Sequence, residues 1–448
     1  MSHSSNTGRV LRVGVFFDGT ANNQYNSELG QARRAQGLTV DPTSSYASVP
    51  TNIALLHRHY PVQSAFEADG IRMTSLYISG IGTTTGKADT RFPAQTYGRG
   101  STGVVGKAKE AHARLLQCLM EAVEVLPPRA LQRVQLDLFG FSRGAAAARH
   151  FANEVNATRF DTLFELAPGF TCEINFIGLF DTVAAMGGLV DVGNISDDVN
   201  PGLNLYLGPD SARHVVQLSA RDEVRRNFAL SRIAPQWPMD VAVPGVHADV
   251  GGGYPLEMLE DVLLTRWKTN LVSPGTSPML TQAWKATAAE LPLWQARDLL
   301  DDTDPQALLE IRTASHQLGT RKDPLQRVQA AIYMRRRVYG HLSRVYLWVM
   351  HTLAREQGVP FKALSDTADT RLPEALLPIA DKLLMHVMTG RIALSHEDER
   401  LLRQRYIHQS ANWNAAIGDG IGAVDQAFFN LPQDGGRLVY DQHDPLLA

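Results

Sequence analysis

Cysteine is nearly absent. The chain has two in 448 residues, Cys118 and Cys172, too few for a zinc site, and it has no C-x-x-C pair. Both lie in apolar stretches, where a thiol behaves as a small buried hydrophobe. The fold therefore does not rely on disulfides, which fits synthesis in a reducing cytoplasm. Long apolar runs are missing too. No stretch approaches about 18 apolar residues, so no spanning helix is expected. The opening MSHSSNTGRVLR is polar and lacks an apolar segment, so no secretory signal is expected. Neither sign of charge dominates: 43 Lys and Arg stand against 46 Asp and Glu, a net of −3. That gives no footprint for nucleic acid. No internal repeat is visible. What remains is a globular composition, 44% hydrophobic and 20% charged, long enough for one large enzyme domain with additions.

One stretch organises the rest. In VQLDLFGFSRGAAAARHFANEV, residues 134–155, Val134, Leu136 and Leu138 alternate with Gln135, Asp137 and Phe139. That pattern suits a short strand with a buried face. Gly140, Ser142 and Gly144 then give G-x-S-x-G, and Ala145–Ala148 start a helix. A serine at a sharp strand-to-helix turn has a strained backbone and an exposed hydroxyl. Side chains at the two flanking glycines would collide with the neighbouring strand and helix. The Arg143 N–H would then point at an oxyanion from a helix N-terminus.

The remaining candidates follow in chain order. LRVGVFF, 11–17, reads as a buried strand, followed by the turn-rich DGTANN. Asp18-Gly19-Thr20 resembles part of a phosphatase motif, but that chemistry needs an aspartate where Phe16 stands. Gly19 or Thr20 is instead placed to supply a second oxyanion N–H at a strand's C-terminal edge. MTSLYISG, 73–80, reads as another strand. Gly82–Lys87 falls one residue short of a P-loop, with Ala88 in place of Ser or Thr. Gly98, Gly100 and Gly103 match G-x-G-x-x-G without a preceding apolar strand, which argues against a dinucleotide site. INFIGLFDTV, from 174, is a strand ending at Phe180 with Asp181 just beyond it. MDVAVPGVHADVGGGYP, 239–255, is a last core strand followed by a glycine-rich loop carrying His247. The order Ser142, Asp181, His247 is that of α/β-hydrolases. Asp222 is the rival acid; His214 and His408 are rival bases. Such a triad needs no metal or cofactor.

From about 257 the pattern turns helical. Residues 259–272 read as a helix, and 329–356 as one long helix with Val338, Leu342, Val345, Val349 and Leu353 on one face. Arg335, Arg336, Arg337 and Arg344 then form either a solvated basic end or a membrane-facing one. The expected organisation is a tail over 1–10, a catalytic core over 11–255 and a mainly helical extension over 256–448. That extension packs on the core as a lid or membrane-contact region. The expected fold is an α/β-hydrolase: a mostly parallel sheet with flanking helices.

FFDGTANN, GFSRGAAAAR, GLFDTV and PGVHADVGGGY, in that order, resemble the bacterial type VI secretion phospholipase effectors with a G-x-S-x-G nucleophile. The resemblance spans 11–255 and extends more weakly through 329–356 and YIHQSANW. It implies a Ser142 nucleophile, an Asp181 acid and a His247 base that cleave acyl chains from membrane phospholipids of competing bacteria. It also implies export on a spike protein into a rival's periplasm, and a cognate immunity protein. Two other readings stay open on the residues alone: a carboxylesterase acting inside the cell on a soluble ester, and a non-catalytic scaffold.

Overall fold

The computed structural model describes residues 8–41, 44–87, 103–184, 202–320, 323–391, 394–414 and 430–444. The near-motif glycines Gly98 and Gly100 lie outside them. The first strands are β1 (Arg9–Phe17), β2 (Ile71–Ile78), β3 (Leu131–Phe141), β4 (Thr171–Phe180) and β5 (His214–Ala220). Two more follow, β6 (Leu230–Ser231) and β7 (Asp240–Val243). Six of these form one sheet, in the order β2-β1-β3-β4-β5-β7, with every pairing parallel. Strands covered on both faces must be apolar almost throughout, and the C-terminal halves of β1, β3 and β4 are buried without a break.

Helices cover the two faces. They are α1 (Gln24–Ala35), α2 (Asn52–His59), α3 (Val104–Glu124), α4 (Arg143–Ala157), α5 (Phe160–Leu163) and α6 (His247–Gly251). Further along come α7 (Gln282–Gln295), α8 (Leu342–Glu356), α9 (Leu377–Thr389) and α10 (His396–Arg405). Helices α3 and α4 pack on one face with Val13, Leu136 and Ile177. On the other face α2, α8 and α9 enclose a core containing Phe16, Phe139 and Phe176. The alanines of α4 let it lie close: a Cβ on Gly144 would stand 2.3 Å from the Asp18 carbonyl oxygen, and one on Gly140 2.6 Å from Ala145 Cα. Both elbow glycines are therefore steric requirements.

The region after 256 is mixed, and two expectations for it are corrected. Residues expected as a helix over 259–272 form β8 (Met258–Leu263) and β9 (Lys268–Val272). The expected long helix from 329 is strand up to residue 338: β10 (Leu308–Thr320) pairs with β11 (Asp323–Val338), and only α8 is helical. The final strand is β12 (Val439–Tyr440), paired with β6. Ile332 and Met334 share one buried cluster while Ala331 and Tyr333 lie in another, so the side chains alternate between two faces. A window of apolar residues fits both periods, and here long cross-strand pairing decides between them. The arginines do not form a free basic end. Arg335 pairs with Asp261 at 2.9 Å, Arg336 with Glu260 at 2.9 Å, and Arg337 meets Glu257. No helix among the described residues is long and apolar enough to cross a membrane.

Gly144→Ala is expected to destabilise the chain by about 3 kcal/mol, because its new Cβ meets backbone that cannot yield. Gly358→Ala, whose Cβ meets nothing within 4 Å at φ +78, should cost only about 1 kcal/mol of backbone strain. Denaturant titrations of the two variants check the difference. Equal losses would show that the elbow tolerates a side chain.

Candidate active site

The parallel register brings the two motif residues together. Phe141 at the end of β3 stands opposite Phe180 at the end of β4. Ser142 and Asp181 are the next residues on each strand. The Ser142 N–H donates to Phe180 O at 3.0 Å, and Ser142 O accepts from the Val183 N–H at 3.3 Å. Ser142 has φ 59 and ψ −129, and Asp181 has φ 46. Non-glycine residues in such conformations cost about 1–3 kcal/mol each, and they persist where the surrounding structure holds them for function.

Asp181 is fully buried and fully satisfied. His247 Nδ1 donates to its Oδ2 at 2.5 Å, and the Ala220 N–H donates to its Oδ1 at 2.8 Å. Arg437 makes a fork, Nη1 to Oδ1 at 2.7 Å and Nη2 to Oδ2 at 2.9 Å. The same guanidinium donates from Nε to Phe228 O at 2.6 Å and from Nη1 to Ala220 O at 3.2 Å. Burial works to raise the Asp181 carboxyl. Arg437 and His247 outweigh it and hold the group well below the usual carboxylate range.

His247 begins α6, in the loop after β7. Its ring lies 4.6 Å from the Phe141 ring and 4.8 Å from the Phe228 ring. Burial pushes its proton affinity below the ordinary 6.5, and the bond to Asp181 opposes that. Its backbone N–H donates to Glu223 Oε2 at 3.1 Å. Glu223 is itself buried, bonded by Arg225 at 2.8 Å and by Ser410 Oγ at 3.0 Å. Burial would raise that carboxyl, but Arg225 prevails and it sits at about 2. Among the described residues, neither Ser142 Oγ nor His247 Nε2 has a hydrogen-bond partner. Asp181 and His247 are thus joined directly, while Ser142 is tied to Asp181 through backbone.

The oxyanion candidates divide. The Arg143 N–H opens the first turn of α4, where no intrahelical acceptor exists. The Gly19 N–H is taken up by Asp18 Oδ1 at 2.7 Å, which leaves Thr20 of that pair. Asp18 also receives Thr51 Oγ1 at 2.7 Å and the Tyr77 hydroxyl. Those donors pull its carboxyl down while burial, the larger effect, pushes it up to about 6.

The three rivals have other places. Asp222 Oδ2 accepts the Gly245 N–H at 2.7 Å and its Oδ1 faces Arg221 at 3.3 Å, so it props the loop before His247. His214 starts β5, at the opposite end of the sheet from Ala220, roughly 20 Å away at strand rise. His408 Nδ1 donates to Asp249 Oδ1 at 2.6 Å and its ring stacks on Tyr254 at 3.8 Å. That second histidine–aspartate pair pins residues 406–410 to α6. Arg437, Glu223, Arg225 and Phe228 were not predicted. Arg437 sits in DGGR, which carries no motif; DEVRR, holding Glu223 and Arg225, drew attention only for Asp222.

The described site lies outside the carboxyl ends of a parallel sheet, where α/β enzymes bind ligands. The fold is of the α/β class with a mostly parallel central sheet. A family profile described as "T6SS, Phospholipase effector Tle1-like, catalytic domain" matches residues 154–267. Among solved structures, the Tle1 effector bound to the VgrG spike of the type 6 secretion system matches with TM-score 0.76 and 30% identity. That match covers 97% of this chain and 94% of the other. An uncharacterized Pseudomonas aeruginosa protein matches at 19% identity and TM-score 0.41, over 89% of this chain and 53% of that one. No curated protein sequence matches. The chain belongs to the Tle1-like family of type VI secretion phospholipase effectors.

Arg437 is a positive charge beside the Asp181–His247 pair and disfavours a second one on the imidazole. Arg437→Met should therefore raise the proton affinity of His247. The acid limb of kcat/KM on a short-chain ester should move to higher pH, by up to about one unit. Arg437→Lys keeps the charge, so its limb should stay nearer the parent while kcat falls. An unmoved limb in Arg437→Met would reduce Arg437 to a fold-holding role.

Proposed function

We propose that the chain is a phospholipase of the A type, hydrolysing acyl esters of membrane phospholipids by a Ser142–His247–Asp181 triad. The observation that carries this reading is the buried Asp181–His247 bond of 2.5 Å beside a serine with φ 59. His247 Nε2 takes the Ser142 proton as Oγ attacks the ester carbonyl. Asp181 fixes the tautomer and stabilises the imidazolium. The N–H groups of Arg143 and Thr20 hold the oxyanion. His247 then protonates the departing alcohol, and water releases the acyl group by the same route. The open Ser142–His247 contact is consistent with catalytic bonds that tighten only around substrate. The chemistry draws on no metal or cofactor.

The role that fits this reaction is an antibacterial effector. Its relative is described bound to a VgrG spike, and we assign this chain a spike carrier of the same kind. The producing cell contains the same lipids. Delivery into a rival's periplasm, with a bound immunity protein at home, keeps the activity away from them.

Expression behind an artificial periplasmic signal is the test. Growth should collapse there and not with the cytoplasmic chain, and lysophospholipid and free fatty acid should accumulate in step. Ser142→Ala should abolish both effects, with kcat reduced on the order of 10⁶-fold. Toxicity that survives in the serine variant would overturn the assignment. Cleavage of soluble esters without lysophospholipid would favour a carboxylesterase.

A further inference from the structure

Among the described residues, buried arginine side chains have hydrogen-bond acceptors, with one exception. Arg149 donates to the carbonyls of Leu205 at 2.7 Å and Ser231 at 3.0 Å. Arg336 meets Glu260 at 2.9 Å and Ile407 O at 2.7 Å. Arg225 holds Glu223, and Arg437 holds Asp181. Arg143 is 8% exposed, yet no hydrogen bond or ion pair to its guanidinium exists among the described residues. An ion stripped of water and left unpaired costs several kcal/mol.

Two further features sharpen the anomaly. Arg143 is the first residue of the 15-residue helix α4, whose N-terminal end repels a cation. Burial alone pushes its guanidinium down to about 10. Elsewhere Arg344 Nε and His408 Nε2 are sealed and partnerless, but no Arg143 nitrogen is among such atoms. With no acceptor among the described residues, the guanidinium is a desolvated, uncompensated charge carried by the residue next to the candidate nucleophile. Lost water, an absent counter-ion and an opposing helix end would all be relieved by one event, the arrival of an anion.

We propose that the Arg143 guanidinium is the phosphate-binding group of the substrate site, receiving the headgroup phosphodiester while the acyl ester lies at Ser142. This rests on the phospholipase reading and adds the residue that selects a phosphate-bearing lipid. A glycerophospholipid carries its phosphate a few bonds from either acyl ester. An arginine stem on the residue after the nucleophile spans a similar distance. The planar fork matches two phosphate oxygens at once, which gives direction as well as charge. The same residue then serves twice, its backbone N–H toward the oxyanion and its side chain toward the headgroup.

The test compares two monomeric esters of equal acyl length, dihexanoyl phosphatidylglycerol and uncharged dihexanoylglycerol. Both are given to the full chain and to Arg143→Gln. The readout is the ratio of their kcat/KM values, so a general loss of activity cancels. The ratio should fall about 10- to 100-fold in Arg143→Gln, the worth of a charge-assisted hydrogen bond. Arg143→Lys, which keeps the charge but not the fork, should fall less, and it replaces the glutamine variant if that chain does not fold. An unchanged ratio, or equal losses on both esters, overturns the proposal. Inorganic phosphate separates the two sources of anion. Inhibition that needs Arg143, with the ratio unchanged, would mean a site for free phosphate and would also overturn it. A parent chain that cleaves neither ester, or only the uncharged one, refutes the phospholipase reading itself, and the headgroup assignment falls with it.

Discussion

The buried carboxylate of Asp181 is the interaction on which the site depends. Its desolvation is expensive, and only good geometry with several donors offsets it. The molecule supplies a histidine, a forked arginine and a backbone N–H. These come from positions 66, 256 and 39 residues away in sequence. Removing one of them leaves a charge in a place where water cannot replace what was lost. The strained backbones of Ser142 and Asp181 are held by the same arrangement, since each is bonded to the neighbouring strand.

Around that ion the remaining acidic groups act as supports. Asp222 fixes Gly245, Asp249 fixes Val246 and His408, and Glu223 fixes the His247 backbone. The Tyr346 hydroxyl on α8 donates to Pro244 O at 2.5 Å. The short loop before His247 is thus held by the segment after β5, by α6 and by α8, and the segment after α10 braces Asp249 and Glu223 in turn. Helix α8 therefore packs directly on the sheet, and its inner face shares a cluster with Phe16, Phe139 and Phe176.

Local chemistry was legible in the sequence. The β3–turn–α4 unit, the aspartate after β4 and the histidine after β7 each announce themselves through neighbours a few residues away. The elbow glycines were legible for the same reason. Contacts made across hundreds of residues were not. Arg437 follows two glycines and touches nothing nearby in sequence that would mark it. The strands β8 to β11 carry apolar spacings that a helix also satisfies, and their register is decided by partners far along the chain. The arginines at 335–337 read as a basic end because their carboxylate partners lie about 75 residues upstream, at Glu257, Glu260 and Asp261.

The reach of the Arg437 fork bears on how the site is assembled. Closing a loop of this size is entropically costly and is deferred until other contacts have formed. On that count the 66-residue span to His247 costs less to close than the 256-residue span to Arg437. Residues 430–444 are themselves anchored, Val439–Tyr440 by pairing with β6 and Gln442 by bonds to Leu207 O at 3.1 Å and Ile233 O at 2.8 Å. The environment of the Asp181 carboxylate is thus complete only when residues 430–444 are in place.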